Sequence, residues 1–486
     1  MQIQRALLFC GLAFFCGVAA SQPDYQRHAT SLKPAPPDPA IARALASITP
    51  AQIDQTVKTL VSFGTRNTLT SMDPNLPPGQ GINAAADWIA GQFEAISGQC
   101  GGCLEVKRDT FVADPASGES WARRIPKPTK ITNVYAVMRG TEPERAKRMV
   151  LVTGHYDSIN SNVFANWADT SGAAPGANDD ASGVAVSLAC ARSLTKLKFP
   201  STVVFVAVAG EEQGLVGSEH LAKLAKSEGW QLEAVLNNDI VGGNTTPGDS
   251  LQLKDRVRVF SEGVPVTATP QEQQRIRALG KENDSSSREL ARAIADVDRT
   301  YFRGSAPQMR FNAFLVDRPD RYLRGGDHSS FNREGFTSVR FTEWREDFNH
   351  QHKNVVRPPA GSSEPVHGDL PEFVDFRYVA QVARLNAATL ATLAFAPGVP
   401  QKVAIEAKDL GNGTTLTWEP PDGGGVSHYE VLWRETTAPN WQYVRQVVPT
   451  AETGQVSVSL PISKDNVIFG IRAVDAREHR GLVAVP

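Results

Sequence analysis

The spacing of apolar residues changes repeatedly between a helical and an extended pattern along most of the chain. An apolar stripe over residues 53–61 follows Thr49, which has the sequence context of an N-cap, and predicts a helix. A second stripe over residues 82–96 predicts another helix, and three β-branched runs within residues 104–154 predict strands. From there to Gly243 strands and helices alternate, which predicts an α/β domain with a mostly parallel mixed sheet sandwiched by helices.

The pattern is less regular after Gly243. Residues 244–320 contain a predicted helix over residues 286–297, and we expect this segment to cross the edge of the sheet and to help shape a substrate pocket. A further helix over residues 378–395 closes the domain. The sequence thus predicts a first domain over residues 41–397.

Residues 401–486 have a different texture. Short alternating runs are separated by Gly, Pro and Asp turns, which predicts a small all-β sandwich. Trp418, Tyr429 and the run at 472–475 resemble those of a fibronectin type III module, although Val467 stands where that module usually has a tyrosine. No catalytic residue is expected in this region, which would space the first domain or contact a polymer or a partner protein.

The N-terminal residues predict export. Residues 1–20 contain one early basic residue, Arg5, then an apolar core, then small residues that end at Ala20, as in a secretory signal sequence. The mature protein is therefore expected to be secreted or periplasmic. Residues 21–40 are polar and proline-bearing, which predicts a linker or pro-segment without its own core.

Composition restricts the partners. The 486 residues carry a formal net charge of −2, so there is no basic surplus that would favour nucleic acid. No segment after the signal offers the long uncharged run that a membrane helix needs. The sequence predicts a soluble protein of two or three domains without membrane insertion.

Three cysteines remain once the predicted signal is removed. Cys100 and Cys103 follow a helical pattern and precede a strand-like run, which favours a small loop-closing disulfide over two free thiols. Cys190 falls on the apolar side of a predicted helix, where an inert core thiol is expected.

Polar side chains follow two of the predicted buried strands directly. The run over residues 203–209 ends in Glu211 and Glu212, which alone could simply be the solvated start of the next helix. The run over residues 149–154 ends in His155 and Asp157, and residues two apart on a strand face the same way. Asp157 can therefore accept the ring N–H of His155 and hold the other ring nitrogen toward a metal ion.

Three further signals follow the same logic, although each has an ordinary interpretation when taken alone. Asp179 lies in a turn that opens a helix, Asp239 ends another buried strand, and His328 occupies a glycine-permitted loop ahead of a strand. Ligand sites in such folds lie beyond the carboxyl ends of the strands. Together with His155 and Glu212, these residues give two terminal donors to each of two ions and one bridging carboxylate, and a shared water would make each ion four-coordinate, as zinc prefers. Glu211 is left without a metal, which suits a general base.

These motifs resemble those of the co-catalytic zinc aminopeptidase family that includes secreted bacterial leucine aminopeptidases and the glutamate carboxypeptidase type. HYDS, DDASG, AGEEQGLVGS, NND and GGDHSSF occur in order, and the resemblance covers residues 48–396. It implies that His155 and Asp239 bind one zinc ion, that Glu212 and His328 bind the other, and that Asp179 bridges them.

The same resemblance implies roles for two acidic residues. At one point this sequence departs from the pattern of the family. The resemblance makes Glu211 the general acid and base and makes Asp157 the residue that orients His155. Where the family often shows a Tyr-His-Thr run, this chain has two histidines, His350 and His352, which we expect near the rim of the site and not as ligands.

The implied function is a zinc-dependent aminopeptidase that removes N-terminal residues from peptides through a metal-bridging water with Glu211 as base. A carboxypeptidase or dipeptidase on the same scaffold is the first alternative, and it would need basic pocket residues, for which Arg321, Arg324 and Arg345 are candidates. A glutaminyl cyclase would use one zinc ion. A binding module with an inert first domain is an alternative of another class.

Overall fold

The computed structural model describes residues 22–303, 310–408, 411–449 and 454–486. The predicted signal sequence lies outside the described residues. The strands within the described residues are β1 (Thr30–Ser31), β2 (Glu105–Ala113), β3 (Thr129–Met138), β4 (Arg148–Thr153), β5 (Thr202–Ala207), β6 (Gln231–Asn238), β7 (Arg256–Ser261), β8 (Asn312–Val316), β9 (Ser338–Thr342), β10 (Gln401–Ile405), β11 (Thr414–Glu419), β12 (His428–Glu435), β13 (Tyr443–Val447), β14 (Val456–Leu460) and β15 (Val467–Val474).

The helices of the described residues are α1 (Asp24–Arg27), α2 (Pro39–Ala46), α3 (Pro50–Ser62), α4 (Gly81–Gln99), α5 (Ala181–Leu194), α6 (Val216–Ser227), α7 (Pro270–Ala278), α8 (Ser286–Tyr301), α9 (His328–Arg333) and α10 (Phe376–Phe395). The capping box predicted for α3 is present, since Thr49 and Gln52 exchange side-chain-to-backbone hydrogen bonds. None of the helices in the described ranges combines the length and apolar character that a bilayer span requires.

An eight-stranded mixed sheet forms the core of the first domain, in the order β2-β3-β5-β4-β6-β9-β7-β8. The central strands β5, β4, β6 and β9 run parallel, so their carboxyl ends meet at one edge. Strands β4 and β5 are buried along their whole length, as their β-branched composition predicts. Helices α5 and α10 cover one face, and α6 packs on the other. The predicted α/β fold, followed in the chain by a separate all-β region, is confirmed.

Instead of simply crossing the edge of the sheet, as the sequence predicts, the segment 244–320 contributes strands to it. It contains two strands, β7 and β8, which pair with each other in parallel, and β7 pairs with β9 in antiparallel orientation. The segment therefore extends the sheet by two strands, with α8 packed against them. Pairing with β9, which follows later in the chain, is a non-local interaction that periodicity does not show.

The C-terminal region consists of two antiparallel sheets. One has the order β1-β13-β12-β15 and the other the order β10-β11-β14. Trp418, Tyr429 and Trp433 are buried between them. The resemblance to a fibronectin type III module stays a prediction.

The segment predicted as a linker or pro-segment, residues 21–40, ends in the first two residues of α2, and its residues 22–38 lie on this C-terminal region. Strand β1 pairs with β13 through Thr30 and Ser31. Tyr25 packs against the core of the sandwich, and its carbonyl accepts a hydrogen bond of 3.0 Å from the indole of Trp433. We call residues 22–38 the N-terminal strap. Its apolar residue Tyr25 belongs to the core of the C-terminal region.

The cysteines follow the sequence expectation. Cys100 and Cys103 form a disulfide just after α4. Cys190 is a free, fully buried thiol on α5, and burial raises its pKa far above the ordinary value. Cys190 is accordingly inert.

Candidate metal centre

The carboxyl ends of β4, β5 and β6 bring together the acidic and histidine residues that follow them. His155 comes two residues after β4, and it still pairs with Val208, just beyond β5. Ligand atoms of His155, Glu211 and Asp239 lie within 4.8 Å of one another, and so do those of His155, Asp179 and Glu212. Five of the predicted site residues thus share one cluster.

The distances within the cluster suit a shared cation. Nε2 of His155 lies 3.1 Å from Oδ1 of Asp179 and 3.9 Å from Oδ1 of Asp239. All three side chains are buried. Buried carboxylates this close to one another repel unless a positive charge separates them.

His352, which the sequence did not place among the ligands, lies in this cluster. Its Nε2 is 2.9 Å from Oδ2 of Asp179 and 2.9 Å from Oε1 of Glu212. The neighbouring Gln351 donates a hydrogen bond of 2.9 Å to the same oxygen of Asp179. His352 therefore stands where the second terminal histidine was expected.

His328 lies elsewhere. Its Nε2 is 2.7 Å from the carbonyl oxygen of Pro319 and 3.7 Å from Oδ2 of Asp320. Because His328 begins α9, its ring is directed to the segment around Pro319 and away from the strand ends. The preceding residue, Asp327, is buried beside the cluster, and its charge helps to raise the pKa of Glu211. The structure thus corrects the expected ligand set at this position.

The residues present fit a divalent metal. Although Nε2 of His352 lies close to Oε1 of Glu212, neither atom has a partner of hydrogen-bond geometry in the described part of the chain. Buried polar atoms left this way are expected to face an ion that both can bind. Imidazole nitrogens and carboxylate oxygens without thiolate are a donor set that zinc accepts.

Asp157 holds the turn that carries the two glutamates. Its carboxylate accepts the backbone N–H groups of Glu211 at 3.3 Å and of Glu212 at 3.2 Å. The same carboxylate lies 3.4 Å from Nδ1 of His155, whose closer contact is the backbone carbonyl of Asp157 at 3.2 Å. Asp157 therefore contacts His155 mainly through its backbone carbonyl, and its carboxylate fixes Glu211 and Glu212.

Asp180 and Asp369 support the segment around Asp179. Asp180 caps α5 by accepting the N–H of Gly183 at 2.8 Å, and it also accepts the N–H of His155 at 3.1 Å. Asp369 accepts the N–H of Asp179 at 2.7 Å. These bonds tie the helix start to the end of β4. Asp369 comes from a distant loop, and no local pattern predicts it.

Arg340, a fully buried residue of β9, fixes Asp239. Its Nη2 lies 2.8 Å from Oδ1 of Asp239, and its Nη1 donates to the carbonyl of Gly325 at 3.0 Å. Removing one partner of such a pair leaves an uncompensated buried charge. Arg340 is therefore a positioning residue for Asp239.

The electrostatics of the cluster reflect its crowding. Burial raises the pKa of Glu211 well above its ordinary value, and the charges of Asp239 and Glu212 add to this effect. Burial alone would lower the pKa of His155, but the adjacent Asp157 and Asp179 outweigh it and raise this pKa. A cation at the centre would relieve the repulsion among the carboxylates.

A cleft of about 710 Å³ opens directly onto the cluster. Glu211, Glu212 and Asp239 lie in its wall, together with Arg321 and Arg324. The third arginine singled out in the sequence is not among the lining residues; Nε of Arg345 instead pairs with Asp249 at 2.9 Å. The cleft gives a peptide access to the candidate metal ligands.

An α/β sheet with a buried carboxylate and histidine cluster at its carboxyl edge, open to a cleft, indicates a metal-dependent enzyme. The sequence pattern of peptidase family M28 matches residues 133–362. A probable zinc metalloprotease of Leptosphaeria maculans is 40% identical over 456 residues, which cover 94% of this chain and 98% of the relative. The chain belongs to this family and is a zinc metalloprotease.

Two further similarities were found. A probable zinc metalloprotease of Pyricularia oryzae is 43% identical over 459 residues, which cover 93% of this chain and 85% of the relative. The crystal structure of LapB from Legionella pneumophila is similar at 17% identity with a TM-score of 0.48, covering 75% of this chain and 78% of that chain.

Proposed function

We propose that this zinc peptidase is an exported aminopeptidase that binds two zinc ions and removes N-terminal residues from peptides. The observation that carries the proposal is the excess of carboxylate at the inner end of the cleft. Asp179, Glu211, Glu212 and Asp239 all line it. Three of them would serve as ligands, and Glu211 is left beside them, so the inner end of the cleft favours a positively charged group such as a free α-amine.

His155, Asp179 and Asp239 would hold one ion, and Asp179, Glu212 and His352 the other. Zinc in such a pair polarises the scissile carbonyl and lowers the pKa of water. The support for two ions is that the two carboxylate oxygens of Asp179 have different partners: Oδ1 lies 3.1 Å from Nε2 of His155, and Oδ2 lies 2.9 Å from Nε2 of His352.

Glu211 does the proton transfer in this proposal. Its backbone N–H is fixed by Asp157, and its carboxylate is the one in the cluster that the ligand set leaves free. It accepts a proton from the attacking water and returns it to the leaving amine. Positive charge bound beside Glu211 would lower the raised pKa of its carboxyl group.

The test combines metal content with two matched peptides. We expect two zinc ions per chain, hydrolysis of leucyl-alanyl-alanine amide, and no hydrolysis of the same peptide with an acetylated amine. Glu211→Gln should keep the metal and lower kcat by about 10²–10⁴-fold. Cleavage of the acetylated peptide at an equal rate would contradict the aminopeptidase, and full activity of Glu211→Gln would contradict its role as base.

A carboxypeptidase is the second candidate, because Arg324 lines the cleft without an ionic partner among the described residues. It would require a free C-terminal carboxylate, which the amide substrate lacks. Cleavage of the free acid with its amine blocked would favour this candidate.

Export and the identity of the C-terminal region are also proposals. Export rests on the composition of residues 1–20, and the resemblance to a fibronectin type III module rests on the two-sheet arrangement around Trp418 and Trp433. N-terminal sequencing of the secreted protein would test the first.

A further inference from the structure

The outer part of the cleft is lined by arginines that form no ion pair with any described residue. Arg123, Arg124, Arg324 and Arg333 all border it. None of these four has an acidic partner among the described residues. The whole chain has 50 lysine and arginine residues and 52 aspartate and glutamate residues, so the surplus of positive charge at the cleft does not follow from overall composition.

The other charged groups of the outer cleft are already paired. Glu219 binds Lys223 at 2.7 Å. Arg321 binds Glu346 at 2.7 Å and Asp320 at 3.1 Å. The four remaining guanidinium groups, which we call the arginine rim, therefore determine the potential at the mouth of the cleft.

One side of the arginine rim is attached to the turn of the glutamates. Nη1 of Arg124 donates to the carbonyl of Glu212 at 3.4 Å, and its guanidinium lies 5.3 Å from the ring centroid of Trp167. Gly214, two residues after Glu212, lies against Trp121, such that a Cβ there would be 3.2 Å from Cβ of Trp121. Arg123 and Arg124 follow Trp121 directly, so their backbone is fixed relative to the metal ligands.

The segment that carries Arg324 is connected, through Arg340, to another candidate ligand, Asp239. Arg324 donates its backbone N–H to the carbonyl of Arg321 at 2.9 Å in a tight turn. The next carbonyl, that of Gly325, accepts from Arg340, which also binds Asp239. Three members of the arginine rim, Arg123, Arg124 and Arg324, thus lie on two segments that are connected to the candidate metal ligands.

From this geometry we infer that the enzyme prefers peptides that carry a carboxylate downstream of the scissile bond. The inference rests on the proposed aminopeptidase function. With the α-amine at the acidic inner end, the following residues extend outward past the arginine rim. A planar guanidinium binds a carboxylate through two parallel hydrogen bonds, whereas a lysine-bearing peptide is repelled. The carboxylate comes from an acidic side chain or from the free C-terminus of a short peptide.

The experiment uses the full-length mature chain with zinc and a set of tripeptides that all begin with leucine. Leucyl-alanyl-alanine amide is the neutral reference. Amides with glutamate at the second or third position carry the acidic side chain, and leucyl-alanyl-alanine as free acid carries the terminal carboxylate. Amides with lysine at the same positions carry the opposite charge.

We expect kcat/KM about fivefold above the reference for at least one carboxylate peptide, and below it for the lysine peptides. The glutamate and free-acid arms show which source of carboxylate is used. The ratio should fall as ionic strength rises, because exposed charges are screened. In Arg123→Gln/Arg324→Gln the ratio should approach one, whereas Arg43→Gln, an exposed arginine of α2 outside the cleft, should keep it.

Equal hydrolysis of neutral and acidic peptides by the wild type, or an unchanged ratio in the double variant, would overturn the inference while leaving the aminopeptidase intact. If none of the peptides is hydrolysed, the proposed function fails and the preference falls with it.

Discussion

Replacing His352 by glutamine, and His328 in a separate variant, tests which histidine belongs to the metal centre. The two rings differ in their surroundings. Nε2 of His352 touches two carboxylates at 2.9 Å, whereas Nε2 of His328 contacts the carbonyl of Pro319 at 2.7 Å. The first should bind metal and the second should support the fold.

The expected loss of zinc affinity follows from the number of donor atoms in the site. A four-donor zinc site has an apparent binding free energy of about 10–16 kcal/mol, so one donor is worth about 2.5–4 kcal/mol. His352→Gln should therefore weaken one zinc site by about 10²–10³-fold. His328→Gln loses one neutral hydrogen bond, which should lower the free energy of unfolding by about 1 kcal/mol and leave zinc affinity unchanged.

The assay is competition with a chromophoric chelator, which reads metal affinity without relying on activity. Thermal unfolding of the metal-free proteins separates loss of affinity from loss of fold. The reasoning is refuted if His328→Gln releases zinc at low chelator concentration while His352→Gln retains both ions.

Three other changes test the supporting structure. Arg340→Gln leaves the carboxylate of Asp239 unpaired, and we expect a loss of about 3–5 kcal/mol in unfolding free energy, measured by urea denaturation; a loss below about 1 kcal/mol would contradict its role. Burial raises the pKa of Asp298 to about 7 from 3.8, so the folded state holds its proton between these values and the wild type loses stability as pH rises through them. Asp298→Asn should therefore be more stable than wild type by up to about 4 kcal/mol above pH 7, with a gain that disappears near pH 4; a pH-independent difference would contradict this. Deleting residues 22–33 should lower the melting temperature, because β1 is lost from its sheet, whereas a dispensable pro-segment would leave it unchanged.

The sequence predicts those parts of the site that follow from local pattern. His155, Glu211 and Asp239 follow buried strands, and parallel strands present their carboxyl ends at one edge, so a strand assignment suffices to bring them together. His328 also precedes a strand, but it begins a helix whose direction turns the ring away. A periodicity argument places such a residue near the edge without giving the direction of its side chain.

His352 lies in a loop after β9, and its position depends on contacts with Asp179 and Glu212 that are far away in the chain. The signal present in the sequence was the pair of histidines two residues apart, which departed from the run expected there. The addition of β7 and β8 to the sheet has the same cause, because strand pairing between distant segments is set by tertiary packing.

The pairing of the N-terminal strap with β13 constrains the order in which the molecule can be assembled. Thr30 pairs with Val444, so the first strand of the described residues can pair only after the chain up to β13 has been synthesised. Closing so long a loop is slow, and the edge of β13 stays open in the meantime. The α/β sheet contains no strand from the strap and can form earlier, which makes completion of the C-terminal sheet the expected last step of folding.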